Sequence, residues 1–299
     1  MFLSLSFDIA AIGPGTEPIA DFRERVARIG AARPDFVILA GEGEGGAFVP
    51  PSLEALVDCA WITGKLTDSC VVAGLPALHS VPFHVARALS AIDFLSGGRS
   101  GWMAIAGGAE RFDAAYGQDL ATAAPDEQAA RHDDFIRATQ ALWDSWDDDA
   151  LIIDKAAGRY LDSGKVRRVD YRGPHYRTMG PLNAARPPQG YPVLVRDGDG
   201  MPTSGIVADV VIGELGSLDA AAEPIKLAKV DSSDSERIDA AKAAVSQGRI
   251  AGLHLEGPNA LAALESLRDG QSSIVEGKRA RPALGLAHPA NSYREGALS

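Results

Sequence analysis

Cysteine is nearly absent: Cys59 and Cys70 are the only two in 299 residues, and two thiols make neither a disulfide framework nor a zinc site. Long apolar runs are missing as well. No stretch approaches the roughly 20 apolar residues that a membrane-spanning helix needs. The apolar N-terminal segment 1–11 has neither the basic flank nor the cleavage site of a signal peptide, and it reads as a first strand. Cationic runs are scarce, the longest being Lys165-Val166-Arg167-Arg168 in a chain with 29 basic and 40 acidic residues and a net charge of -11. That balance argues against nucleic acid or an anionic membrane as the main partner and leaves a small molecule in a cytoplasmic setting. No G-x-S-x-G nucleophile turn follows a strand. The six histidines, His79, His84, His132, His175, His254 and His288, show no i, i+4 pairing of the kind that binds metal.

What the chain does have is enough apolar material, 46% of its residues, for one core of the size of a single α/β barrel. Eight short apolar runs bounded by turn residues recur, most of them followed by helical spacing, the pattern of a parallel α/β sheet. They are 3–8, 36–40, 69–75, 101–106, 192–195, 208–212, 225–230 and 250–255. Amphipathic helices are expected at 19–29, 53–65, 84–95, 127–146, 235–246 and 259–268, with Ser52 capping the second. Eight strands imply closure into a (β/α)8 TIM barrel. The connections 196–207 and 213–224 are too short for ordinary barrel helices, whereas 107–191 is very long, and long connections on barrels tend to carry function. The expected division is one barrel domain, 1–276, and a C-terminal tail, 277–299.

Two runs call for a chemical reading. Gly41-Glu42-Gly43-Glu44-Gly45-Gly46 has the spacing of a dinucleotide loop, but Glu42 and Glu44 would repel a pyrophosphate and no helix opens directly after it. It reads as an acidic loop at the barrel mouth. His254 and Glu256 stand two apart at the end of the last strand and so point the same way, near where barrel active sites lie. They form either an acid/base pair or a structural or interface pair. Glu214 and Asp231 also end strands.

Leu142-Trp143-Asp144-Ser145-Trp146-Asp147-Asp148-Asp149-Ala150, then Asp154-Lys155, then His175-Tyr176-Arg177-Thr178-Met179-Gly180-Pro181-Leu182-Asn183 form one ordered series. Pro187-Pro188-Gln189-Gly190-Tyr191-Pro192-Val193-Leu194-Val195 continues it. Pro82-Phe83-His84-Val85-Ala86-Arg87 and Asp93-Phe94-Leu95-Ser96-Gly97-Gly98-Arg99-Ser100-Gly101-Trp102 precede it. The series resembles the bacterial-luciferase-like flavin monooxygenases, especially the subgroup of nitrilotriacetate monooxygenase component A, with the alkane and dibenzothiophene-sulfone monooxygenases as cousins. The resemblance implies a luciferase-like barrel, a homodimer, and reduced flavin mononucleotide (FMN) delivered by a separate reductase to the C-terminal mouth, where oxygen and a small organic substrate meet it. It implies a structural role for His84 near the cofactor loop. Trp143 and Trp146 read as packing residues, and Asp147, Asp148 and Asp149 as a solvated end of their helix, where the helix dipole disfavours acids.

The resemblance also designates the pocket positions, and several hold unsuitable residues. Gly41 stands where an acid is expected near the flavin ring. Leu75-Pro76 replaces a pair of hydroxyls, and Pro76 brings no backbone donor. Met103 replaces an asparagine and can pack on a ring without hydrogen-bonding it. Gly198, Asp199 and Gly200 occupy the turn expected to cradle the phosphate, where a carboxylate repels. Thr203 and Ser204 lie just downstream and could restore phosphate contacts. Two readings follow: an FMN-dependent monooxygenase with weakened flavin contacts, or a flavin-poor partner subunit without catalysis of its own.

Overall fold

The computed structural model describes residues 1–8, 19–40, 54–105, 113–114, 117, 119–200, 205–268, 270, 272–275 and 277–294. Eight strands close into a ring: β1 (Phe2–Asp8), β2 (Phe36–Ala40), β3 (Cys70–Pro76), β4 (Ser100–Ile105), β5 (Val193–Asp197), β6 (Val210–Gly213), β7 (Ile225–Asp231) and β8 (Gly252–Glu256). Every neighbouring pair is parallel, and the ring is completed by β8 pairing with β1. The helices expected from spacing all form. They are α1 (Ile19–Ala32), α2 (Ala55–Thr63), α3 (Pro82–Ser96), α4 (Pro125–Trp143), α5 (Ser235–Ser246) and α6 (Ala260–Leu267). After β5 and β6, no α-helix occurs among the described residues, and a 3-10 turn at Ser217–Ala220 is the one regular piece between β6 and β7. The strands read as near-continuous apolar runs because both faces are covered. Leu3, Leu5 and Phe7 point outward to helices, whereas Phe36, Ile38, Cys70, Val72, Val193, Val195, Val210 and Ile212 fill the interior.

The N-cap of α2 is Glu54, whose carboxylate accepts the Val57 N–H at 2.8 Å; Ser52 lies outside the described residues. The same helix buries Asp58, one of whose carboxylate oxygens has no hydrogen-bond partner. Burial, then the charge of Glu54, pushes its pKa up to about 6. The folded chain therefore holds this proton more tightly than the unfolded chain, and stability falls as pH rises from about 4 to about 6. Asp58→Asn is expected to raise stability by about 1 kcal/mol at neutral pH. Urea unfolding at pH 7 and at acid pH checks this, since the gain should vanish once Asp58 is protonated.

The long fourth connection is tied down by buried carboxylates. Asp144, the C-cap of α4, accepts Arg186, the Tyr191 hydroxyl (2.7 Å) and the Ser292 N–H (2.9 Å). Asp134 accepts the Tyr171 hydroxyl and the N–H groups of His175 and Tyr176, both at 2.7 Å. Asp93 accepts the Ser100 hydroxyl (2.7 Å) and the Gln189 side-chain amide (2.6 Å). The Trp143 and Trp146 indoles donate to the carbonyls of Ala86 and Leu182. Helix α4 ends at Trp143 rather than Trp146, so the acidic run lies beyond it and escapes the helix dipole. Nor is the run simply solvated. Asp147 makes two bonds to Arg167 (2.8 and 2.7 Å), Asp148 lies 3.0 Å from Arg186, and Asp149 meets Lys165 at 2.5 Å.

Residues 272–275 and 277–284 form the floor of the ring. Ile274, Ala280 and Leu284 join the interior cluster below Phe36 and Cys70. Asp35, fully buried, accepts Leu3 N–H (2.8 Å), Ser272 hydroxyl (3.0 Å), Ser273 N–H (2.7 Å) and Arg268 (3.1 Å), which fixes the floor to the starts of β1 and β2.

Candidate functional site

Strand alternation fixes which side chains line the upper interior, where strands deliver their C-terminal residues. In β3 and β4 the inward positions above Val72 and Gly101 are Gly74, Pro76, Met103 and Ile105, an apolar wall in which Pro76, Met103 and Ile105 are half-buried. Facing it, β1, β8, β7 and β5 contribute Ser4, Ser6, His254, Glu256, Lys229 and Asp197, a polar wall. The interior therefore has two chemically distinct sides.

The polar wall is one connected array. His254 Nδ1 lies 2.8 Å from Ser4 Oγ, and its Nε2 lies 3.0 Å from Ser6 Oγ and 3.6 Å from Glu256. The imidazole is buried, with a 3% exposed side chain, while that of Glu256 is 43% exposed, so the carboxylate is the end that meets solvent. The nearby His254 draws the Glu256 pKa below its ordinary value, against the opposing effect of burial and with help from the Lys229 charge. Burial works against the Lys229 ammonium, yet Asp197, Asp199 and Glu256 outweigh it and raise its pKa. Lys229 Nζ lies 3.1 Å from Asp197 and 3.2 Å from Asp199. Sequence reasoning missed Lys229. The signal was its place among Ile225, Leu227 and Asp231 on the inward stripe of β7, the one basic residue there.

The remaining sequence candidates divide clearly. Glu214 pairs with Arg237 at the surface, and Asp231 accepts the Ser233 N–H and hydroxyl, so both serve local turns on the rim. His84 is exposed on the first turn of α3. Gly41, Thr203 and Ser204 lie outside the described residues. Gly198 sits tightly on β6, donating to the Ile212 carbonyl at 2.6 Å, where a Cβ would meet Val211 and that carbonyl at 3.0 and 3.1 Å. Asp199 turns back instead of facing outward. Its two oxygens accept the Glu214 N–H, each at 3.0 Å, and the Ser217 hydroxyl lies at 3.3 Å. Among the described residues no cluster of three metal-ligating side chains occurs, and no helix is long and apolar enough to cross a membrane. A cavity of about 500 Å³ lies elsewhere, on the lower flank between Phe94, Leu151, Pro188 and His288. Its charged groups engage one another, as in the Asp148 contacts with Arg186 and His288.

A flavin mononucleotide fits these residues only in part. Its flat ring suits the wall of Pro76 and Met103, but its phosphate does not suit the Gly198-Asp199-Gly200 turn, because a carboxylate already holds the donors there.

The model of the luciferase-like monooxygenase family matches residues 69–250, more than half of the chain. A dibenzothiophene-sulfone monooxygenase of Rhodococcus erythropolis is 41% identical over 128 residues, 42% of this chain and 28% of that protein. Nitrilotriacetate monooxygenase component A of Aminobacter aminovorans is 35% identical over 130 residues, 44% of this chain and 28% of that protein. The matched segment thus spans well under half the length of either relative. The crystal structure of a long-chain alkane monooxygenase superposes with a TM-score of 0.72 at 14% identity, covering 89% of both chains, a likeness of fold.

Proposed function

The chain belongs to the luciferase-like monooxygenase family, and from that premise we propose that it is the oxygenase component of a two-component system, placing oxygen on a small organic substrate with reduced flavin from a separate reductase. Within the family, the nitrilotriacetate and dibenzothiophene-sulfone branch is the one its matched segment favours. One observation carries the reading: the upper interior sets an apolar wall of Pro76, Met103 and Ile105 opposite the array of Ser6, His254, Glu256 and Lys229. Bound reduced flavin supplies the electrons that activate oxygen. The chain's own residues pack the ring against Met103 and Pro76, shield it from water, and hold polar substrate atoms at Glu256 and Lys229. His254, held in place by the Ser4 and Ser6 hydroxyls, is the buried neighbour beside which Glu256 stands at the strand end. Gly41, Thr203 and Ser204 remain candidate cofactor positions, whereas the turn of Gly198 and Gly200 is closed to a phosphate by Asp199. The working unit is a homodimer in the cytoplasm, each chain one barrel domain that extends past 276, since Ala280, Arg281 and Leu284 are buried in the ring's lower end and do not form a separate tail.

The second reading, a partner subunit without catalysis, is favoured by the seat that Asp199 takes. Titration with oxidised and reduced FMN, followed by oxygen uptake with an added reductase and a panel of organic sulfur and amine substrates, separates the two. Micromolar flavin binding with substrate-dependent uptake above the reductase alone is expected. Colourless protein that binds neither form of flavin would leave the partner reading standing.

A further inference from the structure

Three donors from different parts of the chain converge at the ends of β5, β6 and β7. They are the Glu214 N–H, the Ser217 hydroxyl and the Lys229 ammonium. A backbone N–H, a hydroxyl and an ammonium pointing at one spot are what an anion site consists of. Here the spot is filled from within. Both Asp199 oxygens lie 3.0 Å from the Glu214 nitrogen, and the Lys229 ammonium closes the arrangement at 3.2 Å. Gly213 makes room for it, since a Cβ there would meet Asp199 Oδ1 and Ser217 Oγ, both at 3.2 Å. The same surroundings hold the Asp199 carboxylate ionised: burial opposes its charge, but Glu214, Lys229 and Ser217 prevail and its pKa falls below the ordinary value. Any further anion would also face Asp197 and Glu256, with Lys229 already shared between Asp197 and Asp199.

We propose that Asp199 is a built-in occupant of the anion site at the barrel mouth, so that the mouth takes an unphosphorylated aromatic heterocycle in preference to its phosphorylated form. The inference rests on the reading that the mouth holds a flavin ring, and it names which flavin the residues favour. It makes Asp199 a specificity-determining residue, acting through donors that a ligand phosphate would otherwise use.

The test compares riboflavin with FMN, oxidised and reduced, on the full chain and on Asp199→Ser. The unaltered chain should bind riboflavin at least as tightly as FMN. Asp199→Ser should tighten FMN about tenfold or more, the value of one regained charge-assisted bond, and leave riboflavin within about twofold. Inorganic phosphate at millimolar concentration should raise the melting temperature of Asp199→Ser and not that of the unaltered chain. If the serine variant does not fold, Asp199→Asn, which keeps the shape and drops the charge, should shift the FMN-to-riboflavin ratio in the same direction. An unaltered chain that prefers FMN tenfold, or a ratio unmoved by substitution together with no phosphate effect, overturns the proposal and leaves the monooxygenase reading intact. Phosphate protection of the variant without flavin binding by any form supports Asp199 as the occupant and sinks the flavin reading instead.

Discussion

Arg281→Ala should cost about 3 kcal/mol of folding stability, the lower end of what removing one partner from a buried ion pair costs, because the Asp209 side chain keeps 18% of its surface exposed. Arg281 is 7% exposed and grips both oxygens of Asp209 at 2.8 Å, while its Nε donates to the Ala287 carbonyl at 2.8 Å and its backbone N–H to the Gln189 side-chain oxygen at 3.2 Å. Asp209 in turn holds the Leu194 N–H at 2.9 Å, so the pair links the floor to the start of β5 and to the residue before β6. Truncation strands a carboxylate that burial disfavours, and it loosens Ala280 and Leu284 from the interior. Urea unfolding gives the number. The double change Arg281→Ala with Asp209→Asn separates the two causes, because removing the stranded charge should recover part of the loss. A single-variant cost below about 1 kcal/mol would mean that the floor is held by packing alone.

Gly252→Ala should be as damaging, costing about 3 kcal/mol or more. Gly252 opens β8 beside Phe2 of β1, and a Cβ built there falls onto the Phe2 carbonyl. That atom is backbone, so no rotamer change relieves the clash and the two strands must part at the seam where the ring closes. Phe2 N–H donates to Ala251 at 3.0 Å on the same seam, and separation would weaken that bond too. Differential scanning calorimetry and amide exchange of β1 report the loss. Wild-type melting in the variant would show that the seam tolerates displacement.

The barrel was legible because its strands are covered on both faces. Runs such as Phe36–Ala40 and Val210–Gly213 are apolar at every inward and outward position, and no turn residue interrupts them. The missing helices after β5 and β6 could be read from length alone. In the site, His254 and Glu256 were legible from spacing of two, and Ser4 and Ser6 stood in the alternation of Phe2–Asp8 without being recognised as an inward stripe. Lys229 shares the parity of Ile225 and Leu227 and Lys226 does not, but an apolar run covered on both faces does not announce which parity is the inward one. The partners of Asp199 could not be read at all, because Glu214 and Ser217 arrive from the next strand's turn. The acidic run misled for the same reason: Arg167, Arg186 and Lys165 reach it from irregular segments whose path no periodicity reveals.

The family-specific series serves two places. Asp93, Asp144, Trp143 and Gln189 bind the fourth connection to the flank of the ring, whereas Asp134 holds Tyr176, whose hydroxyl reaches the Ala77 carbonyl (3.4 Å) just beyond the upper end of β3.

Ile274, Ala280 and Leu284 plug the lower end of the ring beneath Phe36 and Cys70, and the inward side chains above them pack the axis solid. Depth of insertion is thereby capped, so a flat molecule bound here lies across the strand ends instead of threading the ring, and its outer edge stays within reach of solvent.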